Sequence, residues 1–240
     1  AFVRTMCFDR SAGVRSLAVG TLAAGKEDIA ERAKSILARP AGEAHPAVAA
    51  LHVLHLLRDP QTAVLARSLA RSPVVALRRL ASSLVLSATA EGEQQAQLTA
   101  LLADSSPKVR RVAVEHVRRG ASLPSPEVLM RMGLERPEVA GDVMAMLGCG
   151  SPWDRLLFVL RLLEGGGLSA SLCGSVTIEL DAWGKAMDNA YVQPQAKQAA
   201  ALTRLWSRRA QLLPQKRPPG LLPRGFPDAV EYHLRTYRVI

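Results

Sequence analysis

Residues 106–113 read Ser-Pro-Lys-Val-Arg-Arg-Val-Ala, a Ser-Pro step followed directly by apolar residues at helical spacing. Proline is tolerated in the first turn of a helix, where its missing amide has no intrahelical acceptor. Residues 9–18, Asp-Arg-Ser-Ala-Gly-Val-Arg-Ser-Leu-Ala, repeat the order of apolar, arginine and alanine positions. Related helix openings recur about every thirty residues, which predicts a chain built from repeated helical pairs.

Three consecutive openings place His or Ser immediately before Pro, at His45-Pro46, Ser72-Pro73 and Ser106-Pro107. Apolar residues three and four positions apart follow each opening, as in a helix that buries one face. The predicted pairs of helices lie at residues 9–24 and 29–37, 45–57 and 64–69, 72 onward and 91–102, 106–120 and 125–132, and 139–147 and 153–163.

The pattern Asp-x-x-x-x-Val-Arg-x-x-Ala at residues 9–18, with its relative at residues 106–113, resembles the first helix of a HEAT or HEAT-like repeat. Residues 77–81 keep part of the pattern, and the second unit lacks its arginine. The resemblance covers about residues 9–164. It implies an all-α fold, a right-handed α-solenoid of HEAT-like helical pairs over residues 1–164.

The pattern changes after residue 164. Gly165-Gly166-Gly167 predicts a break, followed by a stretch of small and polar residues up to Ser175. Beyond it the sequence predicts helices at residues 176–191, 194–213 and 228–237, with a Pro-rich connection at 214–227. Because terminal repeats commonly lose the consensus, residues 165–240 are interpreted as a divergent helical C-terminal cap with a basic, Pro-rich tail.

The net charge of +10 and a pI near 10.2 admit polyanions, acidic proteins and anionic membrane surfaces as partners. Residues 194–226 hold seven basic residues and no Asp or Glu. Two interpretations of this basic segment stay open: contacts to nucleic acid or to an acidic protein, and a solvated helix face with a basic tail. Its candidate contact residues are Arg204, Arg208, Arg209 and Arg217.

In the resembled repeats the second helices generally line a concave face. On this chain that implies candidate partner contacts at Arg32, Arg67, Arg71, Gln97 and Arg131. Glu27, Glu31 and Glu127 are interspersed with them, which favours a polar protein-binding surface over a continuous phosphate track.

Arginines at residues 15, 78 and 110 occupy the same position within their repeats, and aspartates at 9, 59 and 104 fall just before successive first helices. The resemblance implies an Asp–Arg ladder between neighbouring units, an interpretation favoured over an arginine row for phosphate. The same phase predicts buried side chains at Val14, Leu17, Leu51, Leu54, Leu77, Val109, Val112 and Leu147.

Signals of catalysis are weak. His52 and His55 have a spacing suited to a metal, but no third ligand is nearby in sequence. Cys149 lacks a placed base, and Glu179 and Asp181, two positions apart, face different sides of a helix. The glycine run at 165–167 lacks the Lys-Ser/Thr of a phosphate loop. We therefore expect no catalytic residue, metal or cofactor.

The three cysteines are far apart, which fits neither a disulfide framework nor a zinc site and favours a cytoplasmic setting. No signal peptide or membrane-spanning stretch is expected, and the start at Ala1 suggests trimming or a segment of a longer solenoid. The sequence favours a non-enzymatic scaffold that presents a helical-repeat surface to a protein partner. The alternative is a nucleic-acid-binding HEAT-like protein, at the extreme a DNA-glycosylase-like enzyme.

Overall fold

In a computed structural model, residues 2–22, 24–38, 44–165, 170–189, 192–208 and 226–240 are described, and all regular structure in these ranges is helical. The all-α prediction is therefore confirmed. The chain divides into two compact units, Ala1–Ala113 and Val114–Ile240. The predicted change of architecture after residue 164 stays a prediction.

The first unit contains seven described helices and the start of an eighth, which ends in the second unit. Their bounds are α1 Phe2–Met6, α2 Ala12–Gly20, α3 Lys26–Leu37, α4 Ala44–Leu56, α5 Thr62–Leu69, α6 Val75–Ala88, α7 Glu91–Leu102 and α8 Pro107–Arg118.

The remaining helices belong to the second unit. Their bounds are α9 Pro126–Glu135, a one-turn 3-10 helix at Pro137–Val139, α10 Ala140–Leu147, α11 Pro152–Glu164, α12 Ala170–Asn189, α13 Ala196–Ser207 and α14 Phe226–Thr236.

Helix starts follow from local capping chemistry. The side chain of Ser11 accepts a hydrogen bond from the Val14 amide, and Ser151 does the same for Trp153 ahead of α11. Gly25 precedes α3 with φ of 78°, a left-handed conformation that favours glycine. These caps explain why the predicted helix starts lie close to the observed ones.

In the first unit, α4 lies at the centre of the packing. It contacts α2 and α3 on one side and α5 and α6 on the other. Ala50, Val53 and Leu54 pack into a cluster with α2 and α3, whereas Leu51 packs with α5 and α6. Contacts of α2 with α4, and of α4 with α6, place alternate helices next to each other.

Three arginines at the predicted repeat phase make the same local contact. In each case Nη1 donates to the backbone carbonyls of the residues six and five positions earlier, in the turn before the helix. The acceptors are Asp9 and Arg10 for Arg15 (2.7 and 2.8 Å), Ser72 and Pro73 for Arg78 (2.6 and 3.5 Å), and Asp104 and Ser105 for Arg110 (3.2 and 3.4 Å).

One step of the predicted Asp–Arg ladder is seen in the described residues where Arg78 pairs with Asp104. At another step Nε of Arg15 donates to Nδ1 of His52 (3.0 Å) rather than to a carboxylate. The prediction for Asp59 was wrong, because this residue precedes α5, the second helix of its pair. Its carboxylate lies 3.0 Å from Lys34 Nζ. An aspartate before a helix does not distinguish first from second helices, since both need caps.

In the second unit, α11 is the central helix and buries nine of its residues. It contacts α9, α10, α12 and α13. Trp153, at its start, is fully buried, and its Nε1 donates to the Val192 carbonyl (2.7 Å) while its ring meets the edge of Tyr237. The first turn of α11 is therefore tied to two segments distant in sequence.

The predicted burial is confirmed for six of the eight positions, Leu51, Leu54, Leu77, Val109, Val112 and Leu147. Val14 is half-buried. Leu17 was predicted wrongly, because 71% of its surface is exposed while Arg15, Ala18 and Val19 form the buried face of α2.

Several helix bounds also need correction, including the end of α13, which lies at Ser207 rather than at the predicted residue 213. The helix α12 begins at Ala170, six residues before the predicted start, because the small residues up to Ser175 continue the helix rather than forming a connection. The helix α2 is shorter than predicted and ends at Gly20.

No helix in the described part of the chain combines the length and apolar character that crossing a bilayer requires.

Candidate functional site

A groove with a volume of about 450 Å³ opens between α9, α11 and α13 in the second unit. Its base consists of the buried residues Met130, Asp154 and Leu157, and its rim carries exposed side chains from α9 and α13. The full lining is Glu127, Met130, Asp154, Leu157, Arg161, Lys197, Gln198, Ala200, Ala201 and Arg204.

The helices α11 and α13 run parallel along the groove. Near their starts, Nε2 of Gln198 donates to Oδ1 of Asp154 (2.7 Å). Near their ends, Nη1 of Arg208 lies 3.3 Å from Oε1 of Glu164. Side chains at equivalent turns of the two helices therefore meet at the same level, so the first turns of both helices lie at one end of the groove and their last turns at the other.

The end near the helix starts carries the carboxylates. The Gln198 amide is oriented because its Oε1 accepts from the Gln195 backbone amide (2.8 Å) while its Nε2 donates to Asp154. Asp154 is 8% exposed, and this burial raises its pKa, with the charge of Glu127 acting in the same direction and the Gln198 bond opposing it.

Glu127 lies on the rim of the same end and is already paired. Its Oε1 accepts from Nζ of Lys197 (2.8 Å), and its Oε2 accepts from the Ser125 hydroxyl (2.8 Å). These hydrogen bonds lower the pKa of Glu127 to about 2. Both carboxylates of the groove therefore have hydrogen-bond donors from the protein itself.

The other end carries two guanidinium groups, Arg161 on α11 and Arg204 on α13. Each lies in the last turn of its helix, where positive charge is favourable to the helix dipole. Nη1 of Arg161 lies 3.9 Å from the Met130 sulfur, and Arg204 is exposed. Within the described ranges neither arginine forms an ion pair.

Apolar atoms separate the two ends of the groove, with Met130 and Leu157 at its base and Ala200 and Ala201 on the α13 wall. The helix α9 approaches α11 closely because residue 133 is glycine. A Cβ at Gly133 would overlap the ring of Phe158. The groove can therefore hold an apolar group beside a charged one.

Of the basic segment predicted from sequence, Arg204 lines the groove, whereas Arg208 pairs with Glu164 and is not part of the lining. Arg209 and Arg217 lie outside the described residues. Lys197, also counted in that segment, is paired with Glu127.

The candidates on the second helices are all exposed, but the structure does not bring them to this groove. Arg131 lies on α9 and is absent from the groove lining. In the first unit the Arg32 guanidinium stacks 4.9 Å from the centre of the Phe8 ring. The remaining exposed candidates of that unit are Arg67, Arg71 and Gln97.

The weak catalytic candidates have structural partners. Burial, with the charges of Arg15 and His55, lowers the pKa of His52, whose Nδ1 accepts from Arg15. Glu179 lies 3.6 Å from Arg155, whereas Asp181 pairs with Lys185 at 2.7 Å. The described residues contain no group of three or more His, Cys, Asp or Glu able to hold a metal ion. Cys149 is an exposed free thiol.

Sequence reasoning did not single out Asp154, Arg161 or Gln198. A signal was present on α11, where Asp154, Leu157 and Arg161 follow helical spacing on one face. The position of α13 beside that face has no comparable signal, since α12 intervenes in sequence.

No family model, curated protein or solved structure matches this chain. The groove and its charges are thus the basis for assigning a function.

Proposed function

We propose that this chain is a non-enzymatic protein-binding module, built as a HEAT-like α-solenoid, that holds a segment of a partner protein in the groove between α9, α11 and α13. The observation that carries the proposal is the groove itself, with an apolar centre between a hydrogen-bonded carboxylate end and an arginine end. Its volume falls within the range of about 300–1,000 Å³ common for ligand pockets, which suits a short segment.

The repeat architecture is supported by two observations in the first unit. Arg15, Arg78 and Arg110 clamp the turn before their own helices in the same way. Alternate helices α2, α4 and α6 pack in succession, as expected when each repeat buries its apolar face against the next. The right-handed sense is carried over from the resemblance, and the C-terminal cap is inferred from the loss of the repeat pattern after residue 164.

The charge arrangement favours a protein over nucleic acid as the partner. Lys197 and Arg208, two basic residues of the segment at 194–226, are paired with Glu127 and Glu164. A nucleic-acid backbone entering the groove would meet carboxylates as well as arginines, and its phosphates would compete with Glu127 for Lys197. Nucleic-acid binding is the alternative function, and the experiment must distinguish it from protein binding.

Site-specific photocrosslinking tests the proposal. A photoreactive residue at Ala200, exposed on the groove wall, is expected to give crosslinked protein partners in nuclease-treated extract of the source cell. The matched control carries the same residue at Arg111, which is exposed on α8. Equal adducts from both positions, or adducts only with nucleic acid in a parallel extract without nuclease, would refute the proposal.

A further inference from the structure

The two ends of the groove differ in whether their charged side chains are already paired within the protein. At the carboxylate end, Glu127 is paired with Lys197, and Asp154 accepts from an amide that is itself held in place. At the other end, Arg161 and Arg204 form no ion pair within the described ranges. The unmet charge of the groove is therefore positive and lies in these two guanidinium groups.

A carboxylate matches this charge better than a phosphate does. The groove lining carries three cationic and two anionic side chains, so its formal charge is +1 when both carboxylates are ionised. A phosphate group brings about −1.5 to −2 charges near neutral pH, and its excess would face Glu127 and Asp154. A single carboxylate can instead accept parallel hydrogen bonds from a guanidinium without that excess.

The position of the arginines favours an acidic side chain over a free C-terminus. Terminal carboxylates are typically captured by backbone amides, which this groove offers at the starts of α9, α11 and α13. Those starts lie at the end occupied by Asp154 and Glu127. The arginine end lies at the helix C-termini and offers side-chain donors, which can reach an Asp or Glu within a chain.

The apolar centre adds a second requirement. Met130, Leu157 and Ala201 lie between the charged ends, so a residue next to the acidic one would rest on apolar atoms. Burial of an apolar side chain there would contribute affinity, and the arginines would select the acidic neighbour.

From these contacts we infer that the groove recognises an internal acidic–apolar segment of the partner, with an Asp or Glu side chain on Arg161 and Arg204 and its apolar neighbour on Met130 and Leu157. This inference rests on the proposed function and specifies the chemistry of its partner.

Selection from a library of random peptides displayed on phage tests the inference, with the full chain as bait. Peptides joined to the coat protein at their C-termini have no free terminal carboxylate, so only side chains can supply one. We expect the enriched peptides to share an Asp or Glu next to a large apolar residue. Replacing that Glu by Gln in the synthetic, amidated peptide should weaken binding at least about tenfold in fluorescence anisotropy.

Four variants separate the inference from the proposed function. Arg204→Glu should abolish binding of the acidic peptide and restore it for the peptide with Glu replaced by Lys. Ala200→Trp should block the groove for any peptide, because residue 200 lines its wall. Arg79→Glu, an exposed change on α6, is the charge-matched control and should bind as the wild type does. Circular dichroism confirms that each variant is folded, and Arg161→Gln provides an independent test of the arginine end.

Two outcomes would overturn the inference and leave the proposed function intact. In the first, the peptides blocked by Ala200→Trp carry no acidic residue. In the second, those peptides still bind the Arg204→Glu variant. If Ala200→Trp does not block the binding of any selected peptide, both the inference and the proposed function are refuted. Tighter binding of a phosphoserine peptide than of its Glu counterpart, or competition by a single-stranded oligonucleotide, would also overturn the inference.

Discussion

The guanidinium of Arg78 holds the carboxylate of Asp104 through two parallel hydrogen bonds, from Nε to Oδ2 (2.8 Å) and from Nη2 to Oδ1 (3.1 Å). Arg78 lies on α6 and Asp104 in the turn before α8, so the pair connects two helices that are separated in sequence by α7. The two side chains are only 13% and 16% exposed, so the interaction is largely shielded from water.

Asp104→Asn should destabilise the protein by about 2–4 kcal/mol, because it leaves the Arg78 charge largely buried without its partner. The Asn side chain can still accept the Ser106 amide that Asp104 binds, which limits the loss to the ion pair. Urea denaturation near neutral pH measures the change. The control Arg136→Gln breaks an exposed pair with Glu138 and should change stability by less than about 1 kcal/mol.

The same pair predicts a pH dependence. Burial alone would raise the pKa of Asp104, but hydrogen bonds from Arg78 and the Ser106 amide, with the charges of Arg78 and Arg110, outweigh it and lower the pKa. A lowered folded-state pKa gives stability that is complete above the unfolded value of about 3.9 and is lost as the pH falls through the folded value. The difference between wild type and Asp104→Asn should therefore shrink in acid, and a constant difference would contradict this account.

Leu51→Ala should cost about 2–5 kcal/mol, because Leu51 is fully buried between α4, α5 and α6 and its removal leaves a cavity. Leu17→Ala removes the same atoms from a side chain that is 71% exposed, and should cost less than about 0.5 kcal/mol. Denaturation of both variants compares them directly. Equal losses would show that α2 has a different buried face.

The contrast between Leu17 and Val112 shows what the sequence can and cannot predict. Both occupy the same position relative to the repeat arginine, and Val112 is 7% exposed. Helical spacing predicts which face turns inward, but the flank of that face is buried only where a neighbouring helix covers it. The neighbours of α2 include α1, which has only five residues. Burial at a flank position is therefore a tertiary property.

The helix boundaries were largely predictable because caps and breaks are local. The return helix at residues 91–102 matches α7 at both ends, whereas the start of α12 was missed because small residues are compatible with either a connection or a helix. The groove was predictable only in part. Arg204 lies in a segment whose positive charge is evident from the sequence. That it lines the same groove as Arg161 depends on the packing of α11 against α13, which no local sequence pattern encodes.

Trp153→Phe should destabilise the protein by about 1–3 kcal/mol. Phe keeps an aromatic ring in contact with Tyr237 but lacks the Nε1–H that donates to the Val192 carbonyl, so that carbonyl loses its donor. Thermal unfolding measures the loss. Trp153→Leu, which removes the ring contact as well, should be less stable still, and equal stability of the two variants would exclude a role for the Tyr237 contact.

Asp154→Asn should leave the protein at least as stable as the wild type near neutral pH, although it alters a buried residue at the base of the groove. Burial raises the pKa of Asp154, so between the unfolded value of about 3.9 and the folded value the native state binds more protons than the unfolded state. Wild-type stability therefore falls as the pH rises through that window. The Asn variant has no such titration, and its side-chain oxygen can still accept from Gln198.

The stability advantage of Asp154→Asn should accordingly be absent in acid and grow as the pH rises from the unfolded to the folded pKa of Asp154. Above the folded pKa it should stay constant. Denaturation across the pH range measures this difference. Asp181→Asn is the matched control, because it makes the same chemical change on a carboxylate that is 59% exposed. A variant less stable than the wild type at neutral pH would mean that Arg161 or Arg204 stabilises the Asp154 charge, because Lys197, the third cationic side chain of the groove, is paired with Glu127. The arginine end would then not be free to receive a carboxylate from a partner.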